Sequence, residues 1–284
     1  MVARRVRPTD APSVTALIHT VGWQQTADDV EALLTREGTN VLGTFEEAAF
    51  EDGDGELLSM AAMQTFRALP APGSGYEWLC YVASAPQARR RGLASALIAT
   101  LLSSVPVGSS IGLFGSVDGA PLYEKHFGFV DCGYAQLFCM NKAAISKVHA
   151  PAELPDCSLV NVVQALPEVL ALDRQCYGVD RGKALSKWAS ESPGVCWALL
   201  ASEGQALGFL LVRPMHPGSG VFLGPLVART EAEAEALLRT TLASLPPEVE
   251  EVGMLVIDVR GSPAGDGEGL FAPRPFAAAG YEFG

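Results

Sequence analysis

Apolar residues along this chain fall into short runs whose spacing switches between a helical and a strand period, and the whole series occurs twice. In the first half a strand is predicted at Arg4–Arg7. Thr9 or Asp10 can then cap a helix that sets Val14, Leu17, Ile18 and Val21 on one face. A second helix follows Thr26, with Val30, Leu33 and Leu34 inward. Strands are predicted at Asn40–Phe45, Leu57–Phe66 and Tyr76–Ser84, the first two joined by the acidic, glycine-rich turn Glu46–Gly55. A helix from Gly92 to Ser104, a strand at Ser110–Phe114 and a helix around Pro121–His126 complete this half.

The second half repeats the order. Its pattern predicts a strand at Leu159–Val163, helices near Pro167–Gln175 and Lys183–Ser190, and strands at Cys196–Ser202, Ala206–Arg213 and Gly220–Ala228. A helix from Glu231 to Leu245 and a strand at Gly253–Val259 follow. Between the halves, Asn141–Cys157 loses its periodicity and carries Pro151 and Pro155, so it reads as a linker. The expectation is an α+β fold of two lobes, each a mixed, mostly antiparallel twisted sheet flanked by helices. The lobes are placed at 1–142 and 158–284, with 143–157 between them.

Composition narrows the function without choosing it. The 284 residues carry a net charge of −12, spread over short acidic clusters, which argues against a nucleic-acid partner needing a basic face. The N-terminus runs straight into Pro8-Thr9-Asp10 without an apolar stretch, unlike a secretory signal. The most apolar window, Gly92–Gly108, is shorter than the roughly 20 residues that span a bilayer, so no membrane association is expected. Six cysteines lie far apart with no C-x-x-C pair, and the four histidines are scattered. Free thiols in a reducing cytoplasm and no metal site are the expectations.

The informative stretch is Tyr81-Val82-Ala83-Ser84-Ala85-Pro86-Gln87-Ala88-Arg89-Arg90-Arg91-Gly92-Leu93-Ala94. A strand ends near Pro86, a basic turn follows, and Gly92 opens a helix with Leu93, Leu97, Ile98 and Leu101 along its buried side. Such a turn exposes consecutive backbone N–H groups at a helix start, which can cradle a pyrophosphate. Gly92 lets the backbone approach closely, Ala94 does not block it, and three arginines add positive potential. A solvated basic loop before an ordinary helix is the plainer alternative.

Context raises the first reading. Residues 89–94 match the [QR]-x-x-G-x-[GA] loop of the GNAT acetyltransferases, and Pro121-Leu122-Tyr123-Glu124-Lys125-His126-Phe127-Gly128-Phe129 resembles that superfamily's tyrosine-bearing helix. Leu113–Ala120 and Gly22-Trp23-Gln24-Gln25-Thr26 are similar to segments of a tandem subgroup. Asp180-Arg181, Gly208-Phe209 with Arg213, and Gly224-Pro225-Leu226-Val227-Ala228 resemble that subgroup's second, divergent lobe. The resemblance implies an N-acetyltransferase that uses acetyl-CoA as cosubstrate and moves its acetyl group to a primary amine, here of a small molecule. It implies cofactor contacts at Val82, Ala83, Ser84, Arg89, Arg90, Arg91, Gly92, Leu93 and Ala94, and Tyr123 as general acid for the departing thiolate. Glu77 is a candidate base, weighed against a solvated charge at a strand start, and Asp28 and Asp29 are others.

Two departures stand out. Tyr123 and Gly128 are separated by one residue more than the common Y-E-K-x-G-F allows. The sequence given also stops at Gly280-Tyr281-Glu282-Phe283-Gly284, so the second lobe either borrows a strand or lacks one. In that lobe Thr230 and Glu233 form a capping box across the amides a pyrophosphate would need, which makes it substrate-shaping or structural. One cofactor per chain is expected, in a monomer or homodimer. A silent acyl-CoA-binding module and a protein N-terminal or lysine acetyltransferase are the competing readings.

Overall fold

The computed structural model describes residues 1–23, 25–46, 55–67, 75–149, 156–215 and 220–259. Gln24, most of the Glu46–Gly55 turn, and 260–284 lie outside the described residues. The chain divides into two compact units between Asp131 and Cys132.

The first unit opens with β1 (Val2–Arg5). Asp10 turns back toward it, its carboxylate accepting two hydrogen bonds from Arg4 (2.6 and 2.9 Å) and one from the Arg7 amide (2.6 Å). These donors hold its pKa down to about 2 despite burial. Asp10 stands at the N-cap of α1 (Ala11–Thr20), yet its side chain makes no cap hydrogen bond there, because Arg4 and Arg7 take it. Helix α2 (Ala27–Thr35) has a full capping box: the Thr26 hydroxyl accepts from the Asp29 amide and the Asp29 carboxylate from the Thr26 amide.

Strands β2 (Thr39–Phe45), β3 (Leu57–Arg67) and β4 (Gly75–Ser84) follow, then α3 (Leu93–Ser103), β5 (Ser110–Gly112) and α4 (Ala120–Phe127). The sheet order is β1-β2-β3-β4-β5, antiparallel throughout except for the parallel pair β4–β5. Alternation sorts the strand residues onto two faces. Ala61, Met63 and Leu79 pack with Leu97, Ile98 and Leu101 of α3 and with Tyr123 of α4. Phe66, Tyr76 and Trp78 point the other way.

The second unit begins with β6 (Gly133–Asn141) and a single turn, α5 (Lys142–Ile145). It continues through β7 (Cys157–Asn161), α6 (Leu166–Tyr177), α7 (Gly182–Glu191), β8 (Trp197–Ala201), β9 (Ala206–Met215), β10 (Gly220–Ala228), α8 (Glu231–Ser244) and β11 (Glu251–Val259). The sheet order is β6-β11-β10-β9-β8-β7. From β7 to β11 the directions repeat those of β1 to β5: three antiparallel pairs, then a parallel one. Two helices lie between the first two strands and one between the last two, as in the first unit. The α6–α7 connection is pinned by a buried ion pair, Asp173 with Arg181, whose guanidinium stacks 3.3 Å from the centre of the Tyr177 ring. Burial pushes the Tyr177 phenol up to about 12.

Strand β6 corrects the expected boundary. The segment was placed in lobe 1–142, but Gly133–Asn141 pairs antiparallel with β11 over its whole length, from Gly133↔Val259 to Asn141↔Glu251. The break therefore falls before the strand, not in the proline-bearing 143–157 segment. The second sheet does contain a strand that precedes its own first helix pair.

Candidate active site

In the first unit, β4 and β5 part company early. They pair only at Tyr76↔Ser110, Glu77↔Ile111 and Trp78↔Gly112, while β4 runs on to Ser84. Past Trp78 the β5 side of β4 has no strand partner among the described residues. The other side is disturbed too: the register with β3 shifts between Met60 and Ala62, a bulge at Tyr81, whose φ is 51°. A left-handed φ at a tyrosine costs about 1–3 kcal/mol and persists only where surroundings enforce it. Here Trp23 meets the Tyr81 ring edge-on with centroids 5.8 Å apart.

Beyond the bulge, Val82 packs against the cluster under α3, and the Ala83 carbonyl accepts the Ser59 hydroxyl (3.0 Å). Ser84 Oγ lies 2.8 Å from Ser59 Oγ. The chain then makes a short 3-10 turn, Pro86–Ala88, before three exposed arginines. Arg90 takes a φ of 60° and Gly92 a φ of 77°. This left-handed pair swings the backbone around so that α3 starts with its amides facing outward. No side chain caps Gly92, and the first helical bond runs from the Ala96 amide to the Gly92 carbonyl (3.0 Å). The amides of Leu93, Ala94 and Ser95 are thus among the donors a helix start cannot satisfy internally. A Cβ built on Gly92 would meet no protein atom within 4 Å, so the approach to these amides is open. An anionic group fits that cradle on both geometry and charge.

Tyr123 is buried, 8% exposed, within the same cluster as Val82. Its ring lies edge-on to Phe129 and close to Gly115 and Gly119, where an added Cβ would come to 3.4 and 3.2 Å from ring carbons. The extra residue before Gly128 is absorbed at the helix end. Gly128, at φ 70°, closes α4, and the amides of Gly128 and Phe129 both donate to the Tyr123 carbonyl.

Glu77 is not a solvated strand-start charge. It is 3% exposed, accepts the Thr65 hydroxyl at 2.8 Å, and has its pKa raised by desolvation, which that hydrogen bond opposes. It shares the α3 face with Leu79, roughly 16 Å along the strand from Val82 at about 3.3 Å per residue. Asp29 is committed to its capping box, and Asp28 is exposed on the first turn of α2. Val82 and Tyr123 therefore share one cluster with the buried side of α3, while Glu77 and Asp29 are each held by another side chain.

The second unit offers the contrasting case. Strand β10 pairs with β11 only from Gly220 to Leu223, and its register with β9 shifts between Leu223 and Leu226. Two residues then lead into α8. The Thr230 hydroxyl accepts from the Glu233 amide (3.2 Å), and Glu233 Oε2 accepts from the amides of Arg229 (2.9 Å) and Thr230 (3.0 Å). This helix start is closed by its own side chains.

Among the described residues no group of His, Cys, Asp and Glu is placed to hold a metal, and no helix is long and apolar enough to cross a membrane. One feature escaped the sequence reading: a row of aromatic rings on the face of β3 and β4 opposite α3. Its signal was present in the i, i+2 spacing of Tyr76 and Trp78.

An α+β sheet of this order, antiparallel but for one parallel pair that splays, is the GNAT-like fold. Comparison with solved structures agrees. The chain is similar to a conserved protein of unknown function from Enterococcus faecalis V583 (17% identity, 92% of this chain and 66% of that one, TM-score 0.56). It is similar to a GCN5-related N-acetyltransferase from Sphaerobacter thermophilus (17% identity, 93% and 88%, TM-score 0.57). It also resembles the GCN5-related glucosamine N-acetyltransferase region of a fungal multi-domain GH3 β-N-acetylglucosaminidase (10% identity, 89% and 35%, TM-score 0.65). The chain thus spans just under two thirds of the first of these proteins and about a third of the last. No curated protein sequence matches. Residues 169–262 match the family model described as Acetyltransferase (GNAT) domain. The matched segment lies in the unit whose helix start is closed, not in the one that carries Arg89–Ala94.

Proposed function

We propose that the chain is a tandem-GNAT N-acetyltransferase whose first lobe binds acetyl-CoA and passes the acetyl group to a primary amine of a small molecule. The observation that carries this reading is the uncapped start of α3, set at the end of a strand whose β5 side is open. Arg89, Arg90, Arg91 and the amides from Gly92 to Ala94 would hold the pyrophosphate, and the open edge at Val82–Ser84 would pair with the pantetheine arm. Acetyl-CoA supplies a thioester. The residues around it do the rest.

Backbone groups at the bulge orient the thioester so that attack becomes effectively intramolecular. The amine nitrogen bonds to the carbonyl carbon, the carbon–sulfur bond breaks, and the Tyr123 hydroxyl gives its proton to the departing sulfur. The amine loses a proton to water, and water reprotonates Tyr123. No step is assigned to Glu77, which is held by Thr65 on the α3 face. The tandem arrangement is supported by the repeat of strand directions, and the closed start of α8 supports one cofactor per chain. The test is a screen of amines with acetyl-CoA, following free thiol, beside calorimetry of CoA. One site per chain and amine-dependent thiol release are expected. Binding without release from any amine would leave a silent acyl-CoA module.

A further inference from the structure

Two serines at the end of β4 are joined side chain to side chain. Val82 packs in the cluster under α3, so Ser84, two residues on, projects from the same face of the strand. Ala61 belongs to that cluster too, which places Ser59 on the same face of β3, and the register sets Ser59 directly across from Ser84. Their hydroxyl oxygens are 2.8 Å apart. Ser59 is fully buried, whereas Ser84 is half-buried and keeps some surface toward solvent.

Counting protons fixes the direction of this pair. Ser59 has one hydroxyl proton, and it goes to the Ala83 carbonyl at 3.0 Å, a group that only accepts. The proton between the two hydroxyls must then come from Ser84. Its lone pairs remain, so toward a group bound beside it the Ser84 oxygen is an acceptor and not a donor.

Backbone direction brings the same residue to the open edge. The Ala85 amide donates to the Leu58 carbonyl at 2.9 Å and the Ala83 carbonyl meets Ser59, so the peptide groups of 83 and 85 turn toward β3. Alternation turns those of Val82 and Ser84 to the β5 side, which has no strand there among the described residues. Arg89 Nε donates to the Ser84 carbonyl at 3.4 Å, which ties the arginine loop back to this edge. Ser84 is thus where strand edge and loop meet, with its carbonyl already engaged and a hydroxyl acceptor beside it.

We infer that the Ser84 hydroxyl accepts an amide N–H of the pantetheine arm, and that Ser59, by taking the Ser84 proton, is the positioning residue that keeps it an acceptor. This rests on the acetyl-CoA reading of the first lobe, and the test keeps the two apart. Binding of CoA, and of ADP, which has the pyrophosphate but no arm, is measured with the whole chain, CoA by calorimetry and ADP by competition. In Ser84→Ala the Kd for CoA should rise about fivefold, the scale of one net hydrogen bond, while that for ADP holds. Ser84→Cys, close in size but a weak acceptor, should behave alike.

Ser59→Ala frees the Ser84 proton, and alone should raise the Kd for CoA about twofold. In the Ser84→Ala background it should change nothing further, because no proton is left to direct. A merely structural Ser59 would weaken CoA equally in both backgrounds. An unchanged CoA affinity in folded Ser84→Ala and Ser84→Cys, an equal loss for ADP, or additive effects of the two substitutions would overturn the inference and leave the acetyl-CoA reading standing. A parent chain that binds no CoA would overturn both.

Discussion

Helices α3 and α8 each join the two strands of the parallel pair in their own sheet, and their first turns are built in opposite ways. At α3 an eight-residue connection, Ala85 to Gly92, separates strand from helix, and two left-handed residues present bare amides. At α8 the connection is Arg229 and Thr230 alone, and Glu233 folds back to satisfy the amides itself. Both starts face one problem, the unmet donors of a helix start. A side chain that solves it locally gives stability of about 0.5–2 kcal/mol, and a loop that leaves it unsolved keeps the donors for a ligand. The splayed strand pair survives in both units. What differs is the connection that follows it.

The largest expected effect breaks the comparison at α3. Gly92→Asp places a carboxylate where phosphate is proposed to sit, and calorimetry should show acetyl-CoA affinity falling at least about 100-fold, or about 2.8 kcal/mol. Gly92→Ala separates charge from backbone strain, since a β-carbon at left-handed φ costs only about 1–2 kcal/mol. Equal affinity in folded Gly92→Asp would show that the open amides are not the site.

Next comes the acid. Tyr123→Phe keeps the ring against Gly115, Gly119 and Phe129 but removes the hydroxyl, so kcat should fall on the order of 10²-fold while KM for acetyl-CoA holds. Full activity in this variant, measured with a confirmed amine, would return Tyr123 to a packing role.

A smaller effect tests α8 from the other side. Thr230→Val with Glu233→Ala strips the capping box, and the melt should drop by an amount corresponding to about 1–2 kcal/mol. CoA stoichiometry should stay at one, because the connection is still two residues long. A second binding event in that variant would mean that capping alone had silenced the lobe.

The smallest concerns Glu77. Its pKa is raised in the folded chain, so the folded state holds the proton more tightly than the unfolded one. Stability tied to that proton is present at low pH and fades as pH rises through the raised value, because the buried carboxylate must then ionise. Glu77→Gln should therefore melt slightly higher than the parent at pH 7, with the difference vanishing below the ordinary value of 4.5. Its kcat should be unchanged. A large fall in kcat would make Glu77 the base.

Much of this architecture was readable from local pattern. Val14, Leu17 and Ile18 are buried on α1, and Leu97, Ile98 and Leu101 on α3, where helical spacing put them. The capping box at Thr230 could be read because both partners lie within one turn. The bulge at Tyr81 was not foreseen, since it depends on an offset between β3 and β4 and not on any residue's own preference. Glu77 was misplaced for a related reason: a strand-start position looks exposed until the Thr65 pairing is known. The membership of Gly133–Asn141 had no local signal at all. A strand pattern states that a segment will pair, and is silent on the sheet that receives it.

That last strand has a consequence in time. Asn141 faces Glu251, so β6 is synthesised well before the strand that receives it. At translation rates of about 5–20 residues per second, the wait is on the order of ten seconds. Throughout that interval Gly133–Asn141 is an unmatched strand, made after all five strands of the first sheet. The nascent chain is therefore most open to wrong pairing in the middle of its synthesis, and the arrival of β11 is the event that closes it.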